Sequence, residues 1–446
     1  MEILMVVIFV LGYLAIAMEH PLKIDKAATA MVTGVLCWTI YIVSGPTIVD
    51  PANVPDGDFY HYIVHDHHHK AGLLYHLSEI ASILFFLLGA MTVVELIDAY
   101  EGFAVVTKRI KTTKKVTLMW TLCIVAFFFS AVLDNLTTAI VMAALLKKLI
   151  RNRRVMWLFA GMIIISANAG GAWSPIGDVT TIMLWIGGQV TAMNIIVGVF
   201  TPSLVCMLVP LIILTFRLKG DVMRPMEPEN KEEHLHVKIE DWERNLVFSL
   251  GVGALLFVPL FKTLTHLPPF MGILMGLGFL WMVTAVLNRN KPKYSLNETT
   301  VEGVLTKIDT PSVLFFLGIL LAVASLQSAG QLGQLAVWLD ETVGNIYVIN
   351  IVIGVLSSIV DNVPLVAAAS GMYPIAATGD FAQDGAFWEF LAYCAGTGGS
   401  CLIIGSAAGV AIMGILKIDF LWYIKKISLL ALVGYLCGAA TYLLIN

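Results

Sequence analysis

The chain has 446 residues, of which 58% are hydrophobic and 13% charged, and its mean hydropathy is +0.86. A soluble chain carries about 25% charged residues, so a water-soluble globular protein is excluded and a polytopic membrane protein is indicated. The formal net charge of -4 argues neither for nucleic acid nor for an acidic partner.

The start lacks a basic stretch ahead of its apolar run, so no cleavable signal peptide is expected and residues 2–18 read as the first span. Further stretches near the ~20 residues needed to cross hydrocarbon lie at 27–44, 73–98, 155–188, 194–216, 245–262, 270–287, 311–328, 386–415 and 420–445. Two more apolar blocks, 116–150 and 344–374, are too long for one span, too short for two, and polar at their centres. That is the profile of a re-entrant helical hairpin with its tip at membrane depth. Residues 99–115 and 296–309 read as short interfacial helices. In 331–342, Leu332, Leu335, Ala336 and Leu339 recur at helical spacing, as in a helix lying flat on the outer surface.

Lysine and arginine collect on the cytoplasmic side of a membrane. Lys23 and Lys26 follow the first span, Lys108 to Lys115 the third, and Lys147 to Arg154 the first hairpin. Lys417, Lys425 and Lys426 lie before and at the start of the last span, whereas 331–347 and 373–390 carry no Lys or Arg. Ten spans, with the first hairpin entered from the cytoplasm and the second from outside, put every basic cluster inside and both termini outside. The organisation expected is scaffold spans in 1–72, a first repeat in 73–216, a cytoplasmic linker in 217–244 and a second repeat in 245–445.

The repeats are visible in the wording. Ser130-Ala131-Val132-Leu133-Asp134-Asn135-Leu136-Thr137-Thr138 in the first hairpin matches Ser357-Ser358-Ile359-Val360-Asp361-Asn362-Val363-Pro364-Leu365 in the second. Each has a glycine-rich companion: Asn168-Ala169-Gly170-Gly171-Ala172-Trp173-Ser174-Pro175-Ile176-Gly177-Asp178, and Gly396-Thr397-Gly398-Gly399-Ser400-Cys401-Leu402-Ile403-Ile404-Gly405-Ser406. From Asp134 to Gly170 is 36 residues and from Asp361 to Gly398 is 37. Such agreement indicates an internal duplication. Because the hairpins open to opposite sides, the repeats are inverted. The companions, lying mid-span in 155–188 and 386–415, read as broken helices. The fold class expected is therefore an all-α inverted-repeat transporter with two re-entrant hairpins and two broken transmembrane helices.

An intramembrane carboxylate is costly enough to be a functional candidate by default. A hard cation such as Na+ or Li+ wants carboxylate, hydroxyl, amide and carbonyl oxygens. The first half offers Asp134, Asn135, Thr137 and Thr138 from the hairpin tip, with Ser166, Asn168, Ser174, Asp178, Thr180 and Thr181 from the broken helix. The second offers Ser357, Ser358, Asp361 and Asn362, with Thr397, Ser400 and Ser406. The halves are unequal, since Ser406 stands where the first has Asp178 and Pro364 where it has Thr137. Two neighbouring carboxylates in a low dielectric do not both stay charged. One holds a proton and surrenders it to an arriving cation, which is the competition that ion exchange needs. Asp134 and Asp178 are the expected pair, with Na+ placed at Asp134, Asn135 and Asp178, and Asp361 as a second ion or proton position.

Plainer roles exist for each. Asp134 and Asp361 are good helix N-caps, the threonines can bond backbone carbonyls within their helices, and the glycines can serve close packing. Glu79 is a possible proton relay, while Glu95 and Asp98 read as interfacial. His61, His65, His67, His68 and His69 read as a solvated loop, with a metal or pH-sensing site as the alternative. The six cysteines fall in or beside apolar segments without a metal-ligand spacing, as small core residues do.

The paired hairpin and glycine-rich motifs resemble those of the NhaD-type sodium/proton antiporters of the ion transporter superfamily, over roughly residues 70–445. The resemblance implies a homodimer, each protomer with a scaffold domain at the dimer contact and a transport domain that slides across the membrane. It implies export of Na+ or Li+ across the cytoplasmic membrane, driven by inward H+, with no cofactor. Related dicarboxylate transporters carry Ser-Asn-Thr at their hairpin tips; here Asp134 and Asp361 add negative charge, which disfavours an anionic substrate. The second companion departs from the first at Leu402-Ile403, in place of Ser174-Pro175. The alternatives are a Na+-coupled transporter of a small anion such as a dicarboxylate, which calls for a midplane Arg or Lys cluster, and a membrane enzyme or sensor. No nucleophile–base pair or metal motif supports the enzyme.

Overall fold

A computed structural model describes residues 2–19, 24–44, 68–107, 110, 112–224, 239–289, 299–359 and 361–445, the side chains of 2, 17, 68–72 and 106–107 excepted. In chain order its main helices are α1 (Glu2–Ala17), α2 (Lys26–Val43), α3 (His68–Ala99), α4 (Lys115–Leu133), α5 (Asn135–Leu149), α6 (Arg153–Ala172), α7 (Val179–Ile186), α8 (Ala192–Arg217), α9 (Asp241–Thr265), α10 (Pro269–Asn288), α11 (Thr310–Ser328), α12 (Gln331–Thr342), α13 (Ile346–Leu356), α14 (Asn362–Met372), α15 (Ala386–Gly398), α16 (Ala407–Leu416) and α17 (Phe420–Ile445). Among the described residues, nine helices are long and apolar enough to cross a membrane. The protein is a multi-pass, all-helical membrane protein.

The helices sort into two packing groups. In one, α1 lies beside α2, α2 along α11, α9 beside α10, and both α10 and α11 against α3. In the other, α4 and α5 flank α6, α13 flanks α15, α16 crosses α5, and α8 lies along α17. Helix α6 meets α15 where the two halves join. The groups touch through α14 on α11 and α7 on α3. With no hydrophobic drive between helices in lipid, such contacts rest on close packing by small residues. At the crossing of α2 and α11, a Cβ on Gly34 would stand 2.5 Å from the carbonyl oxygen of Gly318.

The segment expected as the first hairpin folds back on itself at Asp134, one non-helical residue between α4 and α5. Its two feet share one anchor. Lys115 donates its backbone N–H to Gly220 and Arg151 to Met223, while Val222 donates to Thr113. The second such segment breaks between α13 and α14. There the Tyr373 hydroxyl, just past α14, donates to Asp340 on α12, 3.1 Å away.

Residues 331–342 form a helix, as their spacing indicated; α12 turns 119° into α13. Among the described residues, the stretches 99–115 and 296–309 hold the short helices Ala104–Thr107 and Val301–Leu305. Most of the linker, 225–238, lies outside the described residues, as do His61, His65 and His67 and the side chains of His68 and His69.

Candidate ion-binding site

Both glycine-rich companions break their helices in the same way. Helix α6 ends at Ala172 and α7 begins at Val179, with Pro175, which has no N–H to give, in the gap. Asp178 takes extended backbone at φ -145°, ψ 145° and caps α7, accepting the Thr180 N–H at 3.0 Å. In the second half α15 ends at Gly398, and α16 resumes at Ala407. Its cap, Ser406, has φ -145° and ψ 151° and accepts the Gly409 N–H at 3.2 Å.

The hairpins are fastened to these breaks by matching contacts. Ser130 donates to the Ala167 carbonyl at 2.5 Å, and Ser357 to the Ala395 carbonyl at 2.9 Å. A Cβ on Gly170 would stand 2.1 Å from the Phe127 carbonyl oxygen, and one on Gly398 2.0 Å from that of Gly354. Phe127 and Gly354 each precede their hairpin aspartate by seven residues. Glycine at 170 and 398 therefore lets each hairpin's first arm press on the broken helix at the same level.

The tips then converge. The side-chain amide of Asn135, at the first tip, donates to Asp178 Oδ2 at 2.9 Å and to Asn168 Oδ1 at 3.2 Å. The amide of Asn362, at the second tip, donates to the same Asp178 Oδ2 at 3.2 Å. Asn168 in turn donates to Ser400 and Ser406 in the second broken helix, both at 2.9 Å. Asp178, Asn135, Asn362, Asn168, Ser400 and Ser406 are all buried, Asp178 to 2% exposure. The sequence was read as two sites, one per half; the polar side chains instead form one network centred on Asp178. Thr138 adds a hydroxyl that is buried and has no hydrogen-bond partner among the described residues.

The other expected residues are placed differently. Asp134 is half-buried, with φ 87° and ψ 161°, an extended positive-φ conformation that is strained for any residue but glycine. Its carboxylate accepts the Thr137 N–H at 2.7 Å and the Thr137 hydroxyl at 2.9 Å, so it caps α5. Among the described residues no hydrogen bond joins it to Asp178. Ser166, Ser174, Thr181, Ser357, Ser358 and Thr397 donate their hydroxyls to backbone carbonyls. Glu79 is on α3, its side chain 54% exposed, 3.7 Å from His76. The structure adds one residue that the sequence reading left with the cytoplasmic positive charges. Lys26, first in α2, places Nζ 3.2 Å from Asp361 Oδ2. No signal in the sequence pairs two residues 335 positions apart.

Residues 13–388 match the family described as citrate transporter. Sodium/proton antiporter 1 of Arabidopsis thaliana is 43% identical to the chain, over 100% of it and 73% of that protein. Na(+)/H(+) antiporter NhaD of Alkalimonas amylolytica is 30% identical over 99% of the chain and 90% of its own length. The fold is that of the YdaH transporter of Alcanivorax borkumensis, which superposes with a TM-score of 0.55 over 94% of this chain and 98% of that one, at 11% identity. With hairpin tips, glycine-rich breaks and full-length similarity in agreement, the chain belongs to the NhaD-type sodium/proton antiporters of the citrate-transporter family.

Proposed function

We propose that the protein exchanges Na+ or Li+ for H+ across the cytoplasmic membrane, using Asp178 as the carboxylate for which cation and proton compete. The observation that carries this is the convergence of Asn135 and Asn362 on Asp178. One buried carboxylate, contacted from both hairpin tips, is accessible to whichever side a hairpin opens. Asp134 supplies the second carboxylate and Asp361 the third. The buried Thr138 hydroxyl, unpaired among the described residues, supplies a neutral oxygen of the kind a hard cation takes.

The two packing groups support an elevator reading, in which the group holding the hairpins and broken helices slides against the group of α1–α3 and α9–α11. The packing of α2 on α11 and of α10 on α3 is the crossed pairing expected of two inverted repeats. The shared anchor of the first hairpin's feet, beside Lys115 and Arg151, favours its entry from the cytoplasm and both termini outside. The scaffold group is the one to meet a second copy in the homodimer.

A Na+-coupled transporter of a small anion is the second reading, and the citrate-transporter description keeps it in view. It needs a free basic group near the tips. Lys26 reaches the second tip, but its charge is matched there by Asp361. The deciding experiment is dissipation of a preset pH gradient in proteoliposomes by Na+ and Li+, with Asp178→Asn alongside. Collapse in the wild type alone supports antiport at Asp178. A wild type inert to both ions sinks it and moves citrate and other dicarboxylates or tricarboxylates to the front.

A further inference from the structure

Lys26 and Asp361 tie the two packing groups together at the ion site. Lys26 begins α2, whose N-terminus is capped by Asp25 at 2.7 Å. Its ammonium stands 3.2 Å from Asp361 and 4.5 Å from the centre of the Phe315 ring on α11. Both charged side chains are largely shielded, at 22% and 12% exposure. Asp361 meanwhile caps α14, and its neighbour Asn362 holds Asp178. Two residues therefore separate the Asp178 centre from a lysine on the opposite group.

A shielded carboxylate with an ammonium in place is already neutralised, and a cation reaching it must displace that ammonium. Removing one partner of a shielded pair strands the other, so exchange of one positive charge for another is the favourable route. Glu19 and Asp309 are the other carboxylates that act electrostatically on Lys26. We propose that Lys26 is a tethered competitor of the transported cation. It occupies Asp361 while the site is empty, latches the tip of α14 to α2, and lets go when a cation takes the carboxylate. The latch gives the coupling rule an exchanger requires: the empty transport group stays put, and the loaded one moves. A ligand shifts such a two-state element only by binding its states unequally, and displacement of Lys26 supplies the inequality. This inference rests on the antiport reading.

The test uses proteoliposomes of wild type, Lys26→Gln and Lys26→Arg. Losing the competitor lowers the half-saturating Na+ concentration about fivefold or more in Lys26→Gln, in the range of a site-to-site coupling, whereas Lys26→Arg stays near wild type. A structural role would lower the maximal rate and leave half-saturation alone. Wild-type exchange with an unaltered half-saturation in Lys26→Gln overturns the latch and leaves antiport standing. A wild type without exchange overturns antiport itself. Should Lys26→Gln fail to fold, amine labelling of Lys26 in the wild-type protein decides: Na+ in place of choline, at equal ionic strength, increases labelling if the ammonium is displaced. Equal labelling overturns the latch.

Discussion

The amide of Asn362 donates to the carboxylate of Asp178 across 184 residues of chain, 3.2 Å apart, and so joins the second hairpin to the first broken helix. Asn362→Ala removes that donor and leaves the buried carboxylate under-satisfied. The expected cost is about 1–3 kcal/mol of stability, read as a lower Tm in detergent, together with severely reduced Na+-driven pH-gradient dissipation. Normal exchange by a folded Asn362→Ala protein would show that the contact is dispensable.

Asp134 has two duties that one substitution separates. Asn also caps helices well, so Asp134→Asn keeps the cap on α5 and removes only the charge. Exchange is expected to vanish while Tm stays close to wild type. Asp134→Ala loses the cap as well, at about 1 kcal/mol, and places alanine at φ 87°. Undiminished exchange in Asp134→Asn removes Asp134 from the mechanism.

Thr138→Val tests the unpaired hydroxyl. Deleting a buried polar atom that has no partner is close to neutral or stabilising, so Tm is expected to hold or rise. If the hydroxyl ligates the cation, half-saturating Na+ rises by about tenfold for each 1.4 kcal/mol of ligation lost. A pure packing residue would leave half-saturation where it was.

Gly398→Ala and Gly170→Ala push a methyl group into a backbone carbonyl, of Gly354 and Phe127 respectively. Overpacking commonly costs about 1–3 kcal/mol, and here the obstacle is main chain, so the upper end is expected at both positions. Thermal melts of the two variants should fall together. A fall at one position only would mean that the matching contacts are unequal in strength.

Most of the architecture was legible in the chain because hydrocarbon is an intolerant solvent. It permits few charges, so Asp134, Asp178 and Asp361 stood out against their surroundings, and it demands long apolar runs, so span edges fell within a few residues of α2, α8, α10 and α11. The polar-centred blocks 116–150 and 344–374 stood out by their length, and the helix breaks by Gly, Pro and the repeated spacing. Helix α12 was visible from its periodicity, and the stretches 99–115 and 296–309 hold the short helices Ala104–Thr107 and Val301–Leu305.

The residue types, their duplication and their placement in two breaks and two hairpin tips were determined by the sequence alone, since propensity, hydropathy and spacing are local properties. Which of them meet was decided only by the tertiary structure. Asn135 and Asn362 share Asp178, Asn168 reaches Ser400 and Ser406, and Lys26 reaches Asp361 because helices from distant parts of the chain are packed closely enough for short side chains to touch. Hydrogen bonds and ion pairs act over about 3–4 Å. A sequence that fixes each partner's neighbourhood to within a helix still leaves that distance to the packing.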